Sequence, residues 1–456
     1  MKKVTIIAAV CALVMTAAGC GEIEDSLPAV TESKAESLTE SYAENSGSEA
    51  SSETEQTESA SENNKEPVSS SAERTEGDTK GEQSFTSGAA DFSAELFRQT
   101  AAEDISSGKN AFMSPESVLF ALGMTANGAQ GDTLAEMESI LGVQDIQSLN
   151  ENLSALKLKA NKSEYIDFSI ANSLWVKNDE TITLNDNFAD TVKESFGADV
   201  FYEPFDNATK DSINGWVNEN TNEMIPSILD DIQKDDVAYL INAIAFEAKW
   251  VEQYTEHKID EEGVFTSADG KTQTCTMLVG REDQYLHDDK AEGFLKYYEG
   301  YDYAFMAILP NEEISVSDYL DTMTGESLSA FYNSKENGDV YTKIPEFSYD
   351  YKAELSEPLI AMGMEKAFTS EADFSAMAQT DTDVLYISEV IHKAHIELDR
   401  NGTKAAAATL VAMNKATAAP VEKEEHYVYL DRPFLYAIVD CESGLPVFLG
   451  AVNTAE

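Results

Sequence analysis

Residues 401–417 read Asn401-Gly-Thr-Lys-Ala-Ala-Ala-Ala-Thr-Leu-Val-Ala-Met-Asn-Lys-Ala-Thr417, and this stretch is the most informative part of the chain. Four consecutive alanines occupy its first half, and in an extended chain alternate residues face the same side. Lys404 then lies on the face opposite to Ala405. Because small uncharged side chains fit into narrow spaces, the pattern is typical of a segment that can enter an existing sheet. The residues on that uncharged face are Thr403, Ala405, Ala407, Thr409 and Val411.

Two structures remain open on this pattern alone. Alanine is the strongest helix former, so the run is also compatible with a plain helix. After Thr417 the chain becomes polar, with three glutamates between 422 and 425, and an apolar strand follows from Phe434. The strand interpretation therefore describes a loop between two strands, with a first half suited to become a strand itself.

Ordered motifs between residues 91 and 456 decide between the two structures. Ser114-Pro115-Glu116 has the pattern of a helix start, with an N-cap followed by proline and an acidic residue. Short β-rich runs predict strands at 167–175, 238–246, 303–309, 384–387 and 434–439. Helical patterns predominate early and strand patterns late, which indicates an α+β domain. The motifs also resemble those of the serpins, the serine protease inhibitor family, in the same order along the chain. They are Asn110-Ala-Phe-Met-Ser-Pro-Glu-Ser117, Asn172–Trp175, Ile213–Asn222, Leu240–Trp250, Leu359–Ser375, Ile387–Ala394, Gly402–Thr409, Arg432-Pro-Phe434 and Pro446–Gly450.

The resemblance implies a fold of three β-sheets, about nine helices and an exposed reactive-centre loop. It implies that a serine protease cleaves the loop and becomes trapped in a covalent complex, because the loop inserts into the main sheet before deacylation. We expect a monomer that needs no cofactor. The implied loop hinge is Gly402, Thr403, Ala405, Ala406, Ala407, Ala408 and Thr409, and the implied sheet-opening cluster is Asn110, Ser114, Ser117, Asn242 and His392, with Trp250 near the insertion point.

The register of the resemblance places the reactive bond at Ala416–Thr417, fourteen residues past Gly402. An alanine side chain suits the small specificity pocket of an elastase-like protease. Lys415 would suit a trypsin-like protease and Met413 a chymotrypsin-like one. Inhibitory serpins usually carry Glu where this chain has Arg400 and Lys404, and we expect little effect because both lie at the edge or the outward face.

The N-terminus has the pattern of an export signal. Lys2 and Lys3 precede an apolar run from Val4 to Ala18, which is short for a membrane-spanning helix. The cysteine that follows small residues resembles a bacterial lipoprotein signal, and this predicts a lipid anchor at Cys20. The anchor would hold the exported protein at the cell surface through lipid alone, with shedding left open.

Residues 20–90 are predicted to be a disordered tether. Residues 21–90 hold seventeen Asp and Glu against four Lys and Arg, with fifteen Ser and only scattered apolar residues. Such a composition cannot bury enough surface to offset the entropy of ordering. The predicted organisation is therefore a signal peptide over 1–19, a tether over 20–90 and one domain over 91–456. Two cysteines remain in that domain, Cys275 and Cys441, and we expect buried free thiols.

Charge and motifs exclude several classes of function. A formal net charge of −53 argues against nucleic acid as a partner, because phosphate binding needs a basic face. No phosphate-binding glycine loop or nucleophile elbow occurs, so a lipid-anchored hydrolase has no visible active site. Glu389, His392 and His395 have a ligand-like spacing, but on a strand residues three apart face opposite sides, so no metal site is expected. A non-inhibitory binding protein of the same fold remains the alternative, against which the alanine run argues.

Overall fold

A computed structural model describes residues 6–18, 76–160, 162, 165–380, 384–400 and 423–455 of the 456-residue chain. Nine α-helices lie within these residues, most of them before residue 221. The predicted helix start at Ser114 is confirmed, because the Ser114 side chain accepts a hydrogen bond from the Ser117 amide and Pro115 begins the helix. The helices are α1 (Glu76–Ser106), α2 (Pro115–Ala126), α3 (Gly131–Ile140), α4 (Ile146–Ala160), α5 (Asp186–Phe196), α6 (Asn207–Asn220), α7 (Val316–Leu320), α8 (Gly325–Asn333) and α9 (Ser356–Met362).

Seventeen strands lie in the same described part of the chain. Among them, the predicted strands at 167–175, 238–246, 303–309 and 434–439 are confirmed, each extended by one to three residues. The strands are β1 (Ile6–Ala18), β2 (Ala111–Met113), β3 (Asp167–Lys177), β4 (Ile182–Leu184), β5 (Asp199–Glu203), β6 (Asp236–Glu247), β7 (Ile259–Thr266), β8 (Thr272–His287), β9 (Ala291–Tyr297), β10 (Tyr303–Pro310), β11 (Glu336–Pro345), β12 (Phe347–Glu354), β13 (Ala378–Thr380), β14 (Val384–Leu398), β15 (Glu425–Tyr429), β16 (Phe434–Asp440) and β17 (Pro446–Val452).

The described strands form three sheets. The main sheet has six strands in the order β12-β14-β1-β6-β3-β5, antiparallel except for the β3–β5 pair. The second sheet has nine strands in the order β15-β11-β8-β9-β10-β16-β17-β2, with β7 paired to β8. A short third sheet joins β4 and β13. Three sheets with nine helices in the described residues confirm the predicted α+β fold.

Two apolar cores cover the two faces of the main sheet. The larger core joins the inner face to α1, α2 and the second sheet, through side chains such as Phe97, Phe120 and Phe448. The smaller core lies on the other face, where Ile213 and Val217 of α6 pack on the sheet. Both faces of the central strands are therefore buried, which explains why β6 is buried from Asp236 to Phe246 and has apolar side chains on both faces rather than on alternate residues only.

The folded domain begins before the predicted boundary at residue 91. Helix α1 starts at Glu76, and the side chains of Phe85, Ala89 and Ala90 are buried in the larger core. A single phenylalanine in an acidic stretch gives no periodic signal in the sequence, yet in the structure Phe85 packs into the larger core together with Ala89, one helical turn further on. The tether predicted over 20–90 is thus wrong at its C-terminal end. Residues 19–75 lie outside the described part of the chain.

The segment predicted to be an export signal forms strand β1. Its side chains from Val10 to Met15 are buried between the two cores. None of the described helices has the length and apolar character to cross a membrane.

Candidate functional site

The candidate site is the slot in the main sheet between β6 and β14. Strand β1 fills this slot and runs antiparallel to both neighbours. Its Ile7 pairs with Ile396 of β14 on one side and with Phe246 of β6 on the other. The pairing continues to Ala18 on the β14 side and to Thr16 on the β6 side. The two flanking strands are thus far enough apart to hold a complete additional strand.

The direction of β1 matches that of a strand arriving from the predicted reactive-centre loop. Strand β14 ends at Leu398, beside the N-terminal end of β1. A chain that turned back after Arg400 would run down the slot antiparallel to β14 and to β6, as β1 does. Residues 401–422 lie outside the described part of the chain, and they include the predicted hinge (Gly402, Thr403, Ala405 to Ala408 and Thr409) and the predicted bond Ala416–Thr417. Cys20 also lies outside the described residues.

Polar side chains meet at the middle of the slot. The hydroxyl of Ser117 donates to Oδ1 of Asn242 on β6 at 2.6 Å, while the backbone amide of Ser114 donates to Nε2 of His392 on β14 at 3.2 Å. Cys11 of β1 pairs with both Asn242 and His392. The N-terminus of α2 is therefore hydrogen-bonded to both strands that flank β1, to β6 through Ser117 and to β14 through the Ser114 amide.

Burial makes this cluster sensitive to charge. His392 is fully buried, and desolvation lowers its pKa to about 3, against an opposing effect from the backbone of Val10. A neutral imidazole accepts the Ser114 hydrogen bond through Nε2, so its proton is on Nδ1. Burial also raises the pKa of the Cys11 thiol beside it. The slot is thus a low-dielectric environment that disfavours any charged side chain.

The structure revises the membership of the predicted cluster. Asn110 does not lie in it: Asn110 Oδ1 accepts hydrogen bonds from the backbone amides of Asn453 and Thr454, at 2.7 and 3.0 Å. That contact joins residues more than 340 positions apart, and no local pattern reveals it. Asn172 on β3 belongs to the cluster instead, since its Oδ1 accepts from Nδ2 of Asn242 at 2.9 Å. In the sequence, Asn172 could have been found as the first residue of the Asn172–Trp175 motif.

Trp250 lies at the end of the slot where the predicted loop begins. The indole is fully buried, stacks on Tyr298 with ring centroids 4.4 Å apart, and donates from Nε1 to the backbone oxygen of Asp399 at 3.0 Å. The ammonium of Lys296 lies 5.3 Å from the ring and forms a 2.9 Å ion pair with Glu282. Trp250 therefore ties the last residues of the β14 segment to the second sheet.

Arg400 is held by Glu346 at the same end. Its guanidinium donates to both carboxylate oxygens of Glu346, at 2.8 and 2.9 Å, and its backbone amide donates to one of them at 3.0 Å. The ion pair raises the pKa of Arg400. This bidentate pair gives the unusual residue at this position a defined partner, which the sequence alone did not predict.

The histidines with ligand-like spacing are separated on β14. His392 is buried in the cluster, while Nδ1 of His395 lies 2.7 Å from Oδ1 of Asp350 on β12. Among the described residues, no group of His, Cys, Asp and Glu has the arrangement of a metal site. Cys275 and Cys441 are free thiols, as expected, but each is half-buried rather than fully buried.

Comparisons with known proteins agree with this architecture. A family model described as serpin (serine protease inhibitor) matches residues 87–455. A serpin-like protein of Methanosarcina acetivorans is 30% identical over 380 residues, which cover 80% of this chain and 85% of that protein. Iripin-8 of Ixodes ricinus is 28% identical over 359 residues, covering 75% and 88% respectively. The native state of tengpin, a thermophilic serpin, is 36% identical with a TM-score of 0.73, covering 81% of this chain and 94% of that one.

Proposed function

The chain belongs to the serpin family, and from this premise we propose that it is a suicide-substrate inhibitor of elastase-like serine proteases. Serpins are in general protease inhibitors rather than enzymes. In the proposed reaction, the protease serine attacks the carbonyl carbon of Ala416 and the peptide bond to Thr417 breaks. The new amine of Thr417 leaves with a proton from the protease histidine. The loop then enters the slot before water can cleave the acyl ester.

The slot between β6 and β14 is the observation that carries this proposal. It already holds one antiparallel strand of thirteen residues, β1, in the direction that the loop would take. Each backbone hydrogen bond contributes about 0.5–1.5 kcal/mol, so a dozen new ones would supply on the order of 10 kcal/mol. An uninserted form must then be a kinetic trap rather than the global minimum.

The side chains around the slot support the requirement for small, uncharged loop residues. The inner face of the slot is lined by the larger core, and Asn242 and His392 there are already hydrogen-bonded to Ser117 and to the Ser114 amide. A charged side chain would be buried without a partner, while bulk would overpack the core by about 1–3 kcal/mol per site. The alanines at 405 and 407 satisfy both limits.

The proposed location is outside the bacterial cytoplasm, with a lipid on Cys20 as the anchor. The apolar run before a cysteine and the acidic, serine-rich stretch after it support this. The stretch would act as a spacer between membrane and inhibitor. Metabolic labelling with a radioactive fatty acid tests the anchor: wild type should incorporate label and Cys20→Ser should not.

Mixing residues 20–456, with Cys20→Ser, with pancreatic elastase tests the inhibitory function. A band at the summed mass that survives boiling in detergent is expected. Mass spectrometry of the released C-terminal peptide should place its first residue at Thr417. A peptide beginning at Ala416 would move the target class to trypsin-like proteases, because Lys415 would then precede the broken bond.

Two arginine variants test insertion directly. Ala405→Arg places a charge on the face that enters the larger core. Ala406→Arg places the same charge on the opposite face, where the neighbouring β14 side chains Lys393 and His395 are only partly buried and a charge can reach water. We expect Ala405→Arg to convert the inhibitor into a substrate, raising the number of molecules consumed per protease at least about tenfold. Ala406→Arg should remain close to wild type. Complete cleavage of wild type without a stable band by elastase, trypsin and chymotrypsin would favour a non-inhibitory serpin.

A further inference from the structure

The strand that occupies the slot is the chain's own N-terminal segment, and this arrangement has a functional consequence. We propose that residues 6–18 act as a self-inhibitory strand: while they remain attached, they fill the slot that the reactive-centre loop needs, and their removal makes the protein competent to trap a protease. This inference rests on the proposed inhibitory function. It assigns a role to the apolar segment beyond export.

The backbone pairing makes the two occupants mutually exclusive. The edges of β6 and β14 that face the slot are both paired with β1, from Ile7 at one end to Thr16 at the other. A strand edge pairs with one neighbour at a time, so the loop cannot insert while β1 is present. Because β1 runs in the direction of an inserted loop, it blocks the whole path rather than one end.

The side chains of β1 make it a strong occupant. Cys11, Leu13 and Met15 are fully buried in the larger core, and Val10, Ala12 and Val14 are buried against the α6 side. All thirteen residues of β1 are uncharged. The corresponding face of the predicted loop has nothing larger than Val411. Since hydrophobic stabilisation grows with the apolar area removed from water, Leu13 and Met15 favour β1 over the loop.

The chemistry of activation is a single hydrolysis. A signal peptidase cleaves the Gly19–Cys20 peptide bond with one water, which leaves a carboxylate on Gly19 and an amine on Cys20. The leader is then no longer covalently held, so its effective concentration at the slot falls. Inhibitory activity would thus be confined to molecules that have been processed, and unprocessed chains would spare the cell's own proteases.

Accessibility of Cys11 tests the occupancy of the slot without any protease. The full chain carrying Cys20→Ser is labelled in mild detergent, folded and after unfolding. Residues 20–456 with the same substitution lack Cys11 and show the labelling of Cys275 and Cys441 alone. Maleimide labelling of the folded full chain, read by mass spectrometry, should modify Cys11 at least about a hundredfold more slowly than after unfolding. The half-buried Cys275 and Cys441 are internal references. Labelling of Cys11 at the unfolded rate in the folded chain would overturn the proposal.

A matched pair of substitutions separates slot occupancy from other effects of the leader. Leu13→Glu puts a charge at a fully buried position and should expel the strand, whereas Leu13→Met keeps apolar volume and should not. We expect Cys11 to become reactive only in Leu13→Glu. A protected Cys11 in both variants would contradict the proposed burial of residue 13.

Inhibition assays with the same four proteins test the regulatory consequence. The full chain and Leu13→Glu should differ at least about tenfold in the yield of covalent complex with elastase, with Leu13→Glu close to residues 20–456. Equal yields from the full chain and residues 20–456 would overturn self-inhibition. If residues 20–456 also form no complex while Cys11 stays protected in the full chain, the proposed function fails and self-inhibition with it, whereas the slot occupancy stands.

Discussion

The centre of the main sheet and the centre of the second sheet are equally buried, but different forces stabilise them. At the middle of β6 and β14, Asn242 and His392 face the N-terminus of α2, where Asn242 accepts a hydrogen bond from Ser117 and His392 accepts one from the Ser114 amide. At β16 and β17 the contacts are aromatic, and Phe448 stacks on Phe112 with ring centroids 5.4 Å apart. Hydrogen bonds can exchange partners when strands separate, whereas close-packed rings lose contact energy at once. Burial alone therefore does not show which sheet can open.

The largest expected effect follows from disrupting the aromatic centre. Phe448→Ala should lower the free energy of unfolding by about 3–5 kcal/mol, because a large buried ring leaves a cavity. Chemical unfolding of residues 20–456 with Cys20→Ser measures it, before and after loop cleavage. Phe448→Leu, which keeps apolar volume, should lose less. If Phe448→Ala destabilises only the intact or only the cleaved protein, the second sheet takes part in opening, and the two sheets do not differ as described.

Acid should weaken the main sheet through His392. Its pKa is lowered to about 3 in the folded chain from an ordinary value near 6.5, so the unfolded chain binds the proton more readily. Neutral His392 therefore contributes fully to the free energy of unfolding above pH 6.5, and this contribution is lost as the pH falls toward 3. The free energy of unfolding should fall by on the order of 3 kcal/mol between pH 6.5 and pH 4. His392→Gln should therefore flatten the stability profile over that range.

A control on the same strand distinguishes this titration from a general loss of packing. Val390→Ala removes buried volume on β14 without an ionisable group, and its stability should fall by the same amount at each pH. If His392→Gln and Val390→Ala give parallel profiles, the histidine does not control the acid response of the sheet.

The polar contact between α2 and β6 should have an intermediate effect. Ser117→Ala leaves Oδ1 of Asn242 without its 2.6 Å donor, which costs about 1–3 kcal/mol for a buried group. It should also speed loop insertion after cleavage, because it removes a bond that holds β6. Equilibrium unfolding and the rate of melting-temperature change after cleavage measure both effects. Ser139→Ala, at an exposed position of α3, is the control and should change neither.

The smallest of these effects is expected at the loop base. Trp250→Phe keeps an aromatic ring but loses the hydrogen bond from Nε1 to the Asp399 carbonyl oxygen, at about 1 kcal/mol. We expect faster spontaneous loss of inhibitory activity in residues 20–456, together with a fall of about 1 kcal/mol in unfolding free energy from the lost hydrogen bond. Unchanged activity half-life would show that the hydrogen bond does not restrain the loop.

The sequence predicted what local patterns encode. Ser114-Pro115 marks the start of α2 through a cap and a fixed backbone angle, and the apolar runs at 238–246 and 434–439 are central strands. The family resemblance supplied the rest of the sheet arrangement. It placed His392, Ser114, Ser117 and Asn242 in one cluster, which the hydrogen bonds join.

Contacts between distant segments could not be predicted from local patterns. Asn110 binds the backbone at 453–454, and Arg400 pairs with Glu346 across the β12–β14 edge, both through registers that only folding defines. The early start of α1 depends on Phe85 entering a core built by later residues. Strand β1 was predicted as a leader from its composition, while its pairing depends on a slot formed by strands more than 200 residues away.

Insertion of the loop between β6 and β14 is tested most directly by the melting temperature before and after loop cleavage. Residues 20–456 with Cys20→Ser would be cut at the loop by a protease and then melted by calorimetry. Insertion that contributes on the order of 10 kcal/mol should raise the melting temperature of a domain of this size by about 10–15 °C. A melting temperature that cleavage leaves unchanged would contradict insertion into the slot.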